Sequence, residues 1–188
     1  MKKLLIIALF PLIFQSVYGQ KYLLGIKNGT HLEYLFDLHG QKRTIDIVTK
    51  MPSDSLIMEW NLRGIKGSYI ILSEALEKGN QMSIKQIVPF QSVILKTNET
   101  FCMISRSAFH DLLKNHRFVY NNTTYVLNDN GQDNSNQLNG NTLDVLHVTA
   151  QIDETEMWIL NNPDFPIISK IIKNPLGINF KLISISYD

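Results

Sequence analysis

The sequence predicts a mainly β chain of the α+β type: a single curved antiparallel sheet, or half-barrel, of about ten strands with one or two short helices on its concave side. Three observations lead there. Apolar residues recur with a period of two in most segments, the pattern of strands with one covered and one wet face. The connections between those segments are short, so neighbours in sequence become neighbours in the sheet. Only one stretch carries a good helical stripe, and it is about ten residues long.

The elements follow in order. In THLEYLFD, Leu32, Tyr34 and Phe36 face one way while His31, Glu33 and Asp37 face the other. LHGQ, with Gly40, turns the chain into KRTIDIVTK, where Ile45 and Ile47 share a face. After MPSD, Leu56, Met58, Trp60 and Leu62 alternate with Ser55, Glu59 and Asn61, so these three strands read as a meander. GSYIIL leads into SEALEKGN, where Ser73 is expected to cap a short helical turn and Gly79 to end it. QSVILK, the turn TNET and FCMIS read as a hairpin. Ser105 or Ser107 then caps AFHDLLKN, whose Ala108, Phe109, Leu112 and Leu113 form one apolar stripe.

FVYNNTTYVL places Asn121-Asn122 between β-rich arms, and Asn tolerates the positive φ of a tight hairpin. Residues 128–142, NDNGQDNSNQLNGNT, hold Leu138 as their only apolar residue, so a flexible loop is expected. LDVLHVTAQID then alternates Leu146, Val148, Ala150 and Ile152 against His147, Thr149, Gln151 and Asp153. EMWIL carries Trp158, whose indole is expected on the concave side, and Asn161-Asn162-Pro163 stops it. Pro163 has no N–H to donate and holds Asn162 extended. DFP makes a corner, IISKII resumes as a strand, and NFKLISISY closes the chain as a strand free to occupy a sheet edge.

The first residues point to export. Lys2 and Lys3 precede an apolar run from Leu4 to Phe14, and Val17 and Gly19 fit a cleavage before Gln20. Residues 1–19 thus read as a signal peptide and 20–188 as one curved-sheet domain, exported to the periplasm or secreted. The apolar core is too short to span a bilayer comfortably, so no stable membrane insertion is expected after cleavage. Removing Lys2 and Lys3 leaves 16 basic and 17 acidic residues, a balance that argues against nucleic acid as a partner. The single cysteine, Cys102, has no partner for an internal disulfide and sits among apolar neighbours, as a small buried hydrophobe would.

Catalytic and metal chemistry find little support. His31, His39, His110, His116 and His147 include no pair at the i, i+4 spacing of a helical zinc site, so neither a metal nor another cofactor is expected. There is no G-x-S-x-G elbow around Ser105 or Ser107, and the acidic loop lacks the carboxylate spacing of a calcium site. The glycines of GIKG and GTH read as turn glycines, without the strand-to-helix setting of a phosphate loop. Asp153, Glu154 and Glu156 read as a solvated hairpin tip.

The segment from EMWIL to INFKLISI resembles the C-terminal part of exported bacterial domains of unknown function whose fold is like that of the lipoprotein carrier LolA. IKNGTHLEYLFDLHGQK is similar to the opening of those domains. ETFCMISRSAFHDLL resembles an internal segment of related proteins from Bacteroidetes-type bacteria. The resemblance implies an open half-barrel with an apolar concavity. No segment matches the carrier's ligand-gating pattern, so the carrier activity itself does not follow.

These readings converge on a non-enzymatic protein that binds an apolar small molecule or lipid, with Trp60, Met58, Trp158 and Phe109 as the expected lining. The alternative is a structural or interaction component of the cell envelope, partnered by another envelope protein, whose concave face is filled by its own side chains. A hydrolase is the third reading, for which the sequence shows no nucleophile and base together. The first two differ in whether an apolar cavity remains once the helices pack.

Overall fold

The computed structural model describes residues 24–83, 88–128 and 136–187. The expected signal peptide, residues 1–19, lies outside them. Four strands open the fold: β1 (Thr30–Leu38), β2 (Gln41–Lys50), β3 (Ser55–Leu62) and β4 (Ile65–Leu72). They form an antiparallel meander. Two of its three turns are two-residue loops, His39-Gly40 and Arg63-Gly64, with positive φ at both positions. That geometry matches the right-handed twist of the flanking strands.

Inward-facing positions follow the expected period. Leu32, Tyr34 and Phe36 of β1, Ile45 and Ile47 of β2, and Leu56, Met58 and Trp60 of β3 are all buried in one core. Gly67 of GIKG is not in a turn. It lies in β4 directly across from Trp60, where the absent side chain leaves room for the indole.

The chain then leaves the sheet. Helix α1 (Ser73–Lys78) begins after Leu72 with no side-chain cap, so Ser73 is its first residue and not its cap. Gly79 ends it through close approach, with φ −56°, and a Cβ there would stand 2.6 Å from the Ala75 carbonyl oxygen. The hairpin expected from QSVILK to FCMIS does not form. β5 (Gln81–Met82) pairs parallel with β7 (Glu99–Thr100), and β6 (Ser92–Ile94) pairs parallel with β4 at the sheet edge. FCMIS instead crosses the inner face: Cys102 takes a left-handed φ of 51°, Ile168 N–H donates to the Cys102 carbonyl, and Ile104 N–H donates to that of Pro166. Polar groups of this crossing are satisfied locally. Thr100 and Tyr120 hydroxyls lie 2.7 Å apart, and each can donate to the Met103 carbonyl.

Helix α2 (Arg106–Asn115) is capped by Ser105, whose Oγ accepts from Ala108 N–H, and closed by His116 in the left-handed region. Ala108, Phe109 and Leu112 are buried, but Leu113, expected on the same stripe, is half exposed. The second half of the sheet follows as β8 (Arg117–Tyr120), β9 (Thr123–Leu127), β12 (Val145–Ala150), β13 (Glu156–Leu160), β14 (Ile168–Ile172) and β15 (Ile178–Tyr187). The turn between β8 and β9 is Asn121-Asn122, both at positive φ, as the sequence predicts. β12 stops at Ala150, so Ile152, expected to continue its apolar face, is exposed.

Within the stretch 128–142 expected to be a loop, residues 129–135 lie outside the described ones. The remainder folds as a small hairpin, β10 (Gln137–Leu138) and β11 (Asn141–Thr142), turned at Asn139-Gly140. Leu138 is buried, and the Asn139 amide donates to the Ile185 carbonyl of β15.

The result is one mostly antiparallel sheet of 11 strands in the order β6-β4-β3-β2-β1-β15-β14-β13-β12-β9-β8. It does not close into a barrel, and both helices contribute buried side chains to the core on its inner face. The last strand does not take an edge. β15 pairs with β1 and β14 in the centre and joins the two meanders. After β6 joins the edge beside β4, residues 99–104 and helix α2 pack against the inner face, and the first strand of the second half, β8, lies at the opposite edge.

The Trp60–Gly67 contact gives a direct test. A Cβ at position 67 would meet the indole and approach the Gln91 carbonyl oxygen to 2.8 Å. Gly67→Ala is therefore expected to destabilise the fold by about 1–3 kcal/mol, the cost of overpacking. A urea denaturation midpoint measures it, and an unchanged midpoint would show that the indole does not occupy this site.

Candidate functional site

The inner face is not covered uniformly. Around α2 it is a packed core, in which Met58, Trp60 and Phe109 are each no more than 3% exposed. At the opposite end of the meander, near the His39-Gly40 and Arg63-Gly64 turns, a cavity of about 620 Å³ remains. Its walls are Phe36, Ile45, Leu62, Tyr69, Phe101 and Phe180, with Met82 and Cys102 beside them. The strands bring these residues together by register: Phe36 lies opposite Phe180 on one side and Arg43 on the other.

Phe101 reaches this wall from the crossing segment. Its ring stacks nearly parallel to Phe36, with centroids 6.4 Å apart, and lies 4.7 Å from Tyr69. Phe36 and Phe180 are 5.0 Å apart. Aromatic rings at such spacings form a wall held by packing, not by hydrogen bonds.

Polar groups are few. His39, Gln41, Arg43 and Ser83 contribute to the lining, and the Arg43 guanidinium donates to Gln41 Oε1 at 3.0 Å. Ser83 Oγ is buried with no hydrogen-bond partner among the described residues. Burial pushes the Cys102 thiol pKa well up, so it is a neutral thiol at physiological pH and not a thiolate nucleophile.

None of the four residues expected to line a ligand site borders this cavity. Met58, Trp60 and Phe109 belong to the packed core instead. Trp158, expected on the concave side, stands on the opposite face: its neighbours Met157 and Ile159 enter the core and it does not. There the indole is sandwiched by its two cross-strand partners. The His147 ring stacks at 4.2 Å and Lys170 Nζ lies 3.9 Å from the ring centroid. A bulge in the register between β13 and β14 falls between Trp158 and Ile159, next to the strand's exit toward Asn162.

The acidic group at this junction is also not a solvated tip throughout. Glu156 accepts from Lys173 Nζ at 2.8 Å and lies 2.8 Å from His147 Nε2. Asp153 accepts from Thr155 N–H, while Glu154 is exposed. His147 is therefore held between an indole and a carboxylate, where a freely solvated side chain was expected.

The residues that do form the cavity had a weak signal. Phe36 was legible as inward-facing, and the same alternation, run back along β2, puts Arg43 and Gln41 on the inner face. An arginine in an inward register marks the place where coverage ends. Phe101 carried no such signal, because FCMIS reads as a strand.

The ion pair has a pH consequence. Lys173, through its hydrogen bond, and His147 hold the Glu156 carboxyl below its ordinary pKa. A carboxylate whose pKa is lowered by folding contributes stability above its unfolded-state pKa of about 4.3 and loses it as the pH falls through the folded value. We expect the stability difference between wild type and Glu156→Gln to be largest near neutral pH and to shrink as the pH falls below the ordinary carboxylate range. Urea midpoints across that range measure it; a difference that persists undiminished at low pH would contradict the pairing.

No described helix is long and apolar enough to cross a membrane, and the described residues include no cluster of three or more His, Cys, Asp or Glu placed to hold a metal. Comparisons of the chain with protein-family models, with curated proteins and with solved structures find no match.

Proposed function

We propose that this chain is an exported, non-enzymatic protein that binds an apolar, lipid-like ligand on the inner face of its sheet. The observation that carries the reading is the cavity of about 620 Å³ left between the meander and the crossing segment. That volume lies within the range of about 300–1,000 Å³ typical of small-molecule sites, and aromatic and aliphatic walls with a few polar groups at one side suit an acyl chain with a polar end. The leader-like residues 1–19 and the resemblance to exported domains of the lipoprotein-carrier type are consistent with it, and they make the periplasm or the exterior the expected setting.

The rival reading, an envelope component with a self-filled core, takes its support from the other part of the inner face. There Met58, Trp60 and Phe109 are buried in the core cluster. Such a protein would use its surface, not its interior.

Native mass spectrometry of freshly purified protein separates the two: a co-purifying lipid is expected, and a bare mass in repeated preparations would favour the interaction protein. A cavity-filling variant then locates the ligand. Ile65 lines the cavity yet is 40% exposed, so a larger side chain there has room to fold. Ile65→Trp is expected to weaken binding of a fatty-acid probe by at least about tenfold, or about 1.4 kcal/mol. Unchanged affinity would place the ligand elsewhere.

A further inference from the structure

A second cavity, of about 500 Å³, lies on the other side of β5. Gln81 faces it, Ser83 faces the apolar cavity, and Met82 borders both. Its chemistry is different. The wall is rich in side-chain amides and hydroxyls, among them Asn121, Asn122, Thr123 and Asn174, and it contains no Lys, Arg or His. The Thr123 hydroxyl is buried, with the residue 6% exposed, and has no hydrogen-bond partner among the described residues. Its oxygen is closed off from the cavity, so the open part of the wall is made by the amides and the exposed apolar side chains beside it.

The lining narrows the ligand class. Without a cationic side chain and with two carboxylates in its wall, the site disfavours an anion. Its two carboxylates are already engaged: Glu99 by Lys96, and Asp153 by the Thr155 N–H. They leave little for a metal ion, which would need several carboxylates converging. Amides and hydroxyls both donate and accept, which matches a ligand whose groups do the same. The Asn121 oxygen accepts from Met82 N–H, and its amide nitrogen has no partner among the described residues. Burial, aided by Asp153, raises the Tyr125 pKa, so its hydroxyl stays protonated as a donor. Tyr125, Ile152 and Leu176 add the apolar surface against which the C–H face of a sugar ring can pack.

We propose that this polar cavity binds a neutral, hydroxyl-rich saccharide group, held by the side-chain amides of its wall and packed against Ile152 and Leu176. The group has two sources: a free saccharide, or the head of a glycolipid whose tail lies in the apolar cavity across Met82. The site stands on its own lining, and only the glycolipid source rests on the apolar-ligand reading above.

Titrations of the full chain followed by amide NMR test it, with maltose, dodecyl maltoside below its micellar concentration, and ethanolamine as probes. Maltose is expected to shift the signals of Asn121, Thr123 and Asn174. Leu176→Ala, which trims an exposed wall residue, is expected to weaken this binding severalfold while leaving the urea midpoint nearly unchanged. Tighter binding of dodecyl maltoside at the same signals supports the glycolipid head, and equal binding supports the free saccharide. Signals unmoved by both sugars, or moved by ethanolamine alone, would overturn the proposal. Lauric acid, read at Phe36 and Phe101, reports the apolar cavity separately, so failure of one site is distinguishable from failure of the other.

Discussion

An open sheet with one apolar face has to be covered, and everything else in this fold follows from how residues 73–116 do it. Eleven strands present a long inner surface, while the covering material is two short helices and the extended segments around them. After β4 the chain adds β6 to the same edge, then crosses the inner face through residues 99–104 and α2 and rejoins the sheet at the far edge as β8. That route forces β15 into the centre, where it closes the gap beside β1 and makes the two meanders one sheet.

Coverage this thin cannot be even. Where α2 lies against the sheet, Phe109 and Leu112 reach the inner face and the interior is solid. Beyond the helices, toward the β1–β2 and β3–β4 turns, Phe101 of the crossing segment stands over the sheet with Met82, Ser83 and Pro89 beside the same space, and a cavity remains. The same segment, at β5, separates that apolar space from a polar one. A packed core, an apolar cavity and a polar cavity thus all border this one connection.

The sheet strands were legible because their information is local. Alternation in THLEYLFD and SLIMEWNL needs no knowledge of partners, and His39-Gly40 and Asn121-Asn122 announce tight turns by residue type alone. The Asn139-Gly140 pair carries the same signal but was outweighed by the polar composition around it, and Leu138 is buried by the neighbouring β15. The covering segment was read less well for a physical reason. FCMIS has the composition of a strand, yet its backbone bonds go to residues about sixty positions away, near Pro166 and Ile168. Trp158 failed differently: an indole on a strand was assigned to the core, whereas His147 and Lys170 bury it from the other side. Burial and inward direction are separate properties, and a large aromatic can have the first without the second.

The apolar cavity exists only if the crossing segment lies against the inner face with Phe101 in the aromatic wall. Proton–proton Overhauser contacts between the Phe101 ring and the rings of Tyr69 and Phe36 measure that placement directly. Cross-peaks to Tyr69 and Phe36 are the expected result, as their centroids lie 4.7 and 6.4 Å from that of Phe101. A Phe101 ring with assigned signals and no contact to either residue would mean that the segment does not cover the sheet, and that the cavity described here does not exist.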